Sequence, residues 1–394
     1  MKIMIVSEWY SENMGYAENF LPKAFGKLGH EVHLVTSDLQ VYATSPDYNE
    51  VYRPKLGDAR VKVGIFKKND FTLHRNKSFF CRLGIEILGL EEKVREVKPD
   101  VIYCFEILQR TTLLLAKLKV KYRYLLFCES RLHSSIFNPP RNLFYQFKFW
   151  INIKLMGLPV IIDNVDKFFP IANDVFYNIT KYYTIAHDRC EISSLAVETD
   201  LFNATYDDFK VNQLRRNLGF CEGDIVCVYT GRFTEEKSPL ILALAIQYLH
   251  ERGYQRFKGL FVGRGSLQYN SKISRCTGCV VTPFVSPEFL PTVYHASDIG
   301  VWPLQESNSQ LDAMACGLPI IINDSVWDDD KFDGCGLKFK KGDVKDLADK
   351  ILSLSGKELR ISMGCVGSSR VIKHYSWEAL AKKKLNSFLS LTSC

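Results

Sequence analysis

The chain has 394 residues, of which 46% are hydrophobic and 24% charged, and a formal charge of +7. That length exceeds one ordinary core and suits two domains, and the composition excludes a disordered chain. No run approaches 18 uninterrupted apolar residues, so the sequence predicts no membrane-spanning helix.

The first six residues, Met1–Val6, are too short for a signal-peptide core and carry no cleavage site. Twelve cysteines are scattered, and the one close pair, Cys276-Thr-Gly-Cys279, has no second CxxC to complete a zinc site. Free thiols, no metal and a cytoplasmic protein, peripheral at most on the inner face of the cytoplasmic membrane, are the expectations.

In the first half, Lys2–Val6, Glu31–Thr36, Val61–Phe66, Val101–Phe105, Tyr124–Cys128 and Phe168–Ile171 read as strands. Glu18–Leu28 and Glu86–Val97 read as helices, stopped by Gly29 and Pro99. The loop Ser7–Glu18 joins the first strand to the first helix, and Gly15 allows backbone to approach a ligand there. Glu8 and Glu12 are either functional acids or exposed loop carboxylates. From Arg110 to Lys154 Glu129 is the only acid among nine bases. The run 141–159, RNLFYQFKFWINIKLMGLP, mixes aromatics with bases. It fits an anionic membrane surface or a lipid-diphosphate acceptor, and equally a helix packing its aromatics inside the domain.

In the second half, Ile225–Tyr229, Gly259–Val262, Cys279–Thr282, Ile299–Val301 and Pro319–Ile322 read as strands, and Ser238–Arg252 and Glu288–Ala296 as helices. Alternation in both halves predicts an α/β protein of two doubly wound, Rossmann-like parallel-sheet domains facing a cleft. The divisions expected are 1–202, 203–375 and a C-terminal helical piece, 376–394, packing back toward the first domain.

Gly231-Arg232-Phe233-Thr234-Glu235-Glu236-Lys237 follows a buried strand and opens a helix, with Ser238 as N-cap and Pro239 at its first position. Arg232 and Lys237 are placed to meet an anion at a helix N-terminus, unless Glu235 and Glu236 simply neutralise them. Val262-Gly263-Arg264-Gly265-Ser266 is a second glycine turn, with Gln268 where a dinucleotide fingerprint needs glycine. Ser309 opens a Ser-x-x-Asp capping pattern ending at Asp312, and Gly317 and Pro319 close that helix.

Together these pieces resemble retaining glycosyltransferases of family 4, with the GT-B fold. The matching segments are Tyr229-Thr-Gly-Arg-Phe-Thr-Glu-Glu-Lys237, Leu260–Gly265, Ala296–Pro303, Asp312-Ala-Met-Ala-Cys-Gly-Leu-Pro319, Leu195–Phe202 and Met1–Ser37. The resemblance implies that Arg232 and Lys237 bind and stabilise the departing donor diphosphate, so that no metal or other cofactor is required. It places Asp312 on the ribose hydroxyls, and Gly15, Gly231, Gly263, Gly265, Ser307, Asn308 and Ser309 along the donor. The family's two motif acids are separated by seven residues; here Leu304 stands eight before Asp312, and Glu306, six before it, is the nearest acid and is taken with Arg232 and Lys237 as catalytic. The family's Gly-Gly loop is reduced to Met14-Gly15-Tyr16, and its first-domain histidine is not aligned. Glu129 or His133 stands near that place, facing sugar or acceptor, or else is an ordinary loop residue.

The function implied is transfer of a hexosyl or N-acetylhexosaminyl group from a nucleotide-diphosphate sugar to a glycan hydroxyl, with retention. A lipid-linked acceptor in bacterial capsule, O-antigen, lipopolysaccharide or exopolysaccharide synthesis is the setting expected, with no nucleic-acid partner. The alternatives are a nucleotide-sugar 2-epimerase of the same fold and a non-catalytic protein binding anionic ligands through the basic stretch.

Overall fold

The structure, a computed structural model, describes all residues except 13, 47, 83, 134–136, 138–141, 194–195, 305–306 and 393–394, and, within helices, not the side chains of 51, 143 and 392. Glu306, Arg141 and Leu195, singled out above, therefore lie outside the described residues. The chain divides into two compact units, Met1–Leu195 with Leu380–Cys394, and Ala196–Ala379.

In the first unit the strands are β1 (Lys2–Ser7), β2 (Glu31–Ser37), β3 (Gly64–Lys67), β4 (Thr72–Asn76), β5 (Ser78–Cys81), β6 (Gly84–Ile87), β7 (Val101–Phe105), β8 (Leu125–Ser130) and β9 (Lys167–Pro170). Seven of them form one sheet in the order β3-β4-β2-β1-β7-β8-β9, parallel except for β3 against β4. The apolar runs of β1 and β7 lie at its centre and are almost wholly buried, as parallel strands covered on both faces must be. Three features depart from the sequence pattern. β3 starts at Gly64 rather than Val61. β4, Thr-Leu-His-Arg-Asn, is a strand that its polar residues conceal. Glu86 belongs to the β5–β6 hairpin rather than to a helix, opposite Phe79. The helix there starts at Leu90 because Gly89 before it is left-handed, φ 74°.

The second unit holds β10 (Ile225–Phe233), β11 (Phe257–Gly265), β12 (Cys279–Thr282), β13 (Ile299–Trp302), β14 (Ile320–Asn323) and β15 (Gly336–Phe339), all parallel in the order β12-β11-β10-β13-β14-β15. The helix Trp377–Thr392 begins in this unit, and its residues from Leu380 belong to the first. There Phe388 packs on Phe127, ring centroids 4.3 Å apart, and on Phe25 at 5.9 Å.

Both sheets are thus doubly wound α/β sheets. In each, the strand order reverses beside the unit's first strand, between β1 and β7 and between β10 and β13. Open sheets of this kind bind ligands outside the carboxyl ends of the strands at that point.

Candidate active site

In the second unit the reversal is physically open. β10 pairs with β13 only at Cys227–Ile299 and Val228–Gly300. Beyond that pair the Trp302 indole N–H donates to the Thr230 carbonyl at 3.2 Å, so a side chain spans the gap where ladder bonds stop.

On the other side, β10 and β11 stay paired to their last residues. Gly231 lies opposite Gly263, Arg232 opposite Arg264 and Phe233 opposite Gly265. The glycines are required. A Cβ on Gly263 would sit 1.8 Å from the Gly231 carbonyl oxygen, and one on Gly265 2.6 Å from Phe233 Cβ. Both strands therefore extend in contact, and each delivers an exposed arginine at its end. Neither arginine has an ion pair among the described residues. Two neighbouring guanidiniums without counter-charge can hold a polyanion. Arg264 carried no role in the sequence reading, although the recurrence of Gly-Arg at 231–232 and 263–264 signals it.

The loop after β10 turns at Thr234, whose carbonyl accepts from the amides of Lys237 at 3.1 Å and Ser238 at 2.7 Å. Lys237 is half-buried. Ser238 is not the N-cap: its φ is 50°, in the left-handed region, and Pro239, with a helical backbone, occupies the N-cap position of the helix Leu240–Glu251 without a side-chain cap. A side-chain cap goes with an extended backbone, which neither residue has. Thr234 Oγ1 and Asn270 Oδ1 are buried here without a hydrogen-bond partner among the described residues. Asn270 lies in the helix Leu267–Ser274 that follows the second glycine turn, and Ser266 caps that helix by accepting from the Tyr269 amide at 3.1 Å. Unpartnered buried polar groups are uncommon and suit a place that receives a polar ligand.

After β13 the helix Asn308–Ala315 is capped by Ser307, which accepts from the Ser309 amide at 3.4 Å. The cap is two residues earlier than the pattern Ser309-x-x-Asp312 predicts, and Ser309 lies inside the first turn. Asp312 lies a full turn beyond Ser307, past the reach of the cap, and has no part in capping. Asp312 is partly accessible at its surface, yet protein packed round the carboxyl pushes it up to about 8. No donor or cation among the described residues opposes that shift. Its charge, after burial, helps to hold the Tyr294 hydroxyl well above the usual range. Tyr294 in turn hydrogen-bonds Thr230 at 2.8 Å, directly under the open end of the sheet.

Gly15, Glu129 and His133 belong to the first unit. Gly15 precedes the helix Ala17–Lys27, and a Cβ there would meet nothing within 4 Å, so no close approach within the protein demands glycine. Glu129 is the last residue but one of β8, is 3% exposed, and is held from three sides. It accepts from Tyr103 Oη at 2.7 Å and Arg131 Nε at 3.1 Å, and stands 3.7 Å from Lys384 Nζ. Arg131 reaches on to both oxygens of Glu18 at 3.0 Å, and Lys384 donates to Tyr103 Oη and Ser193 Oγ at 2.7 Å. Burial opposes the Arg131 charge, but Glu18 and Glu129 outweigh it and raise its pKa. Glu129 is thus committed to a buried ionic chain. His133 is exposed, with Nδ1 2.8 Å from Asp174 Oδ2, an arrangement that orients the ring.

Of the remaining loop acids, Glu8 is buried, accepting from the Thr111 hydroxyl at 2.9 Å and the Ile85 amide at 3.1 Å, while burial pushes it up to about 7. Glu12 stays at the surface, paired with Lys68 at 2.9 Å.

Residues 224–357 match the family model for glycosyl transferases group 1, an interval that contains Arg232, Lys237, Gly263, Gly265 and Asp312. Among curated proteins none matches the chain. Among solved structures, a glycosyltransferase from Rickettsia africae superposes with a TM-score of 0.65 at 15% identity, over 99% of this chain and 98% of that one. Anabaena HepE in complex with UDP gives 0.64 at 13%, over 99% and 100%. Sucrose-phosphate synthase from Thermosynechococcus elongatus gives 0.63 at 14%, over 100% of both. These likenesses show the GT-B fold. With the family match they support a glycosyltransferase of the group 1, GT-B type.

Proposed function

We propose that the chain transfers a sugar from a nucleotide-diphosphate donor to a hydroxyl of a glycan acceptor, with retention at the transferred carbon and without a metal. The observation that carries this reading is the pair of counter-charge-free arginines, Arg232 and Arg264, at adjacent strand ends beside the switch point of the group 1 interval. Fixed cations there offset the charge that grows on a departing diphosphate, which is where preorganised electrostatics contributes most to rate. Lys237 stands on the same loop. Asp312, dehydrated and without a donor, suits the two hydroxyls of a ribose. Ser307, Asn308 and Ser309 line the opening of its helix, and Glu306 precedes them in sequence.

HepE has been solved with UDP-glucose, which makes uridine nucleotides the first donors to try. Hexose or N-acetylhexosamine as the transferred group, and a lipid-linked acceptor of a bacterial surface polysaccharide, complete the proposal. The test is a thermal-shift screen of UDP, GDP and ADP, followed by donor turnover. A nucleoside diphosphate is expected to raise the melting temperature by mass action, and Arg232→Ala and Lys237→Ala each to lower turnover about 10²–10³-fold. Unchanged turnover in both variants would overturn the diphosphate assignment.

A further inference from the structure

The helix Leu143–Leu155 of the first unit is built inside out. A surface helix normally turns its apolar stripe inward. Here the inward stripe is narrow: Ile153 is 3% exposed, and Phe149 is half-buried against Phe137, centroids 6.0 Å apart. The opposite side carries Phe144, Phe147, Ile151 and Leu155, at helical spacing, and they are 70%, 61%, 37% and 77% exposed. Lys148 and Lys154 are exposed beside them, and the Lys154 ammonium lies 3.4 Å from the centre of the half-exposed Trp150 ring. The helix contains no acid, and none occurs anywhere from Arg131 to Ile162.

An apolar face of this kind, edged by cations, marks an interaction site. Its charge selects the occupant. A second copy docked face to face would bring Lys148 and Lys154 against their own equivalents with no acid to receive them. An anionic bilayer offers apolar chains to the phenylalanines and phosphates to the lysines. At 13 residues the helix is about 20 Å long, too short to cross a bilayer, and no helix among the described residues is long and apolar enough to do so. It would lie in the plane of the surface with its apolar side in the headgroup region.

We propose that this helix seats the first unit on anionic lipid. The proposal goes beyond the donor chemistry above and does not depend on it. The whole chain is mixed with vesicles of phosphatidylcholine, with or without phosphatidylglycerol, and floated at low and high salt. Flotation with the anionic vesicles at low salt is expected, weakening as salt rises. K148Q/K154Q is expected to lower the partition coefficient about 25-fold, about fivefold for each lysine near the surface. F147S/I151S is expected to abolish flotation while melting at the wild-type temperature.

Wild-type protein left at the bottom of the low-salt gradient would overturn the proposal. So would F147S/I151S floating like wild type, or sedimentation showing a dimer that this variant converts to monomer without any lipid binding. The UDP-induced thermal shift is expected to be the same in all these variants, so a failure of donor binding bears only on the transferase reading.

Discussion

Asp312 stands out among the residues of the site because nothing compensates its burial. Its folded pKa is raised from 3.8 to about 8, so the folded chain holds a proton that the unfolded chain releases. Stability at this group is therefore fully present below about pH 4 and is lost as pH rises toward about 8. Asp312→Asn removes that cost. We predict that it stabilises the protein by about 2 kcal/mol at pH 8.5, a value discounted because the residue is partly accessible, and by little at pH 4.5. Urea unfolding at the two pH values measures it, and an equal gain at both would be inconsistent with a titrating carboxyl. On the proposed reading a ribose diol would donate to the ionised form, so a nucleoside diphosphate would lower this pKa on binding. Its affinity is expected to rise from pH 7 to pH 9 in the wild type and to stay flat in the variant, which binds about tenfold more weakly. Arg232→Ala acts on the reaction instead. Loss of one fixed charge at the departing diphosphate is expected to lower turnover about 10²–10³-fold with little change in stability, readable as kcat against melting temperature.

At the scale of elements, the site helix offers a direct contrast between two serines. Ser307 caps it, while the Ser309 side chain bonds the buried Tyr294 hydroxyl instead, so Ser307→Ala is expected to cost about 1 kcal/mol of stability, by chemical denaturation. No loss in Ser307→Ala would mean that its side chain does not hold the helix terminus. That two-residue difference shows what sequence can and cannot reveal. Central strands such as Val101–Phe105 were legible because burial on both faces demands a continuous apolar run. β4 was not, because its buried Arg75 is made tolerable by the carbonyls of Tyr10 at 2.8 Å and Ser37 at 3.2 Å, partners that only folding supplies. In the site, the Gly-Arg turn could be read from its place after a buried strand, whereas Asp312 read from spacing alone is a capping acid and gains a donor role only through the resemblance. The missing counter-charge at Arg264, the left-handed Ser238 and the position of the cap could not, since each depends on what packs beside it. His133 was legible as a nearby histidine, but its Asp174 partner lies on a separate helix.

Over the whole molecule, the two ends of the chain meet in one core. Lys384, 281 residues from Tyr103, enters the first unit fully buried and joins the ionic chain that runs through Glu129 and Arg131 to Glu18 on the first helix. Burial pushes the Lys384 ammonium down to about 8 from 10.5, while Glu129 and Glu191 pull the other way. For a lysine with a lowered folded pKa, the stabilising contribution is present above about 10.5 and is lost as pH falls through about 8. At neutral pH the buried cation is therefore a cost that Glu129 limits. Removing Glu129 leaves that cation without its nearest carboxylate, which is far worse than removing the pair. Glu129→Gln is expected to destabilise the protein by about 3 kcal/mol at pH 7, and by much less at pH 9.5, where Lys384 is neutral. The double variant Glu129→Gln with Lys384→Met should regain most of the loss at pH 7, because no buried charge then needs a partner. If the double variant unfolds at the same urea concentration as Glu129→Gln alone, the cost lies in the Tyr103 and Arg131 hydrogen bonds to Glu129. The C-terminal segment would then be held by Phe388 and its neighbours rather than by charge.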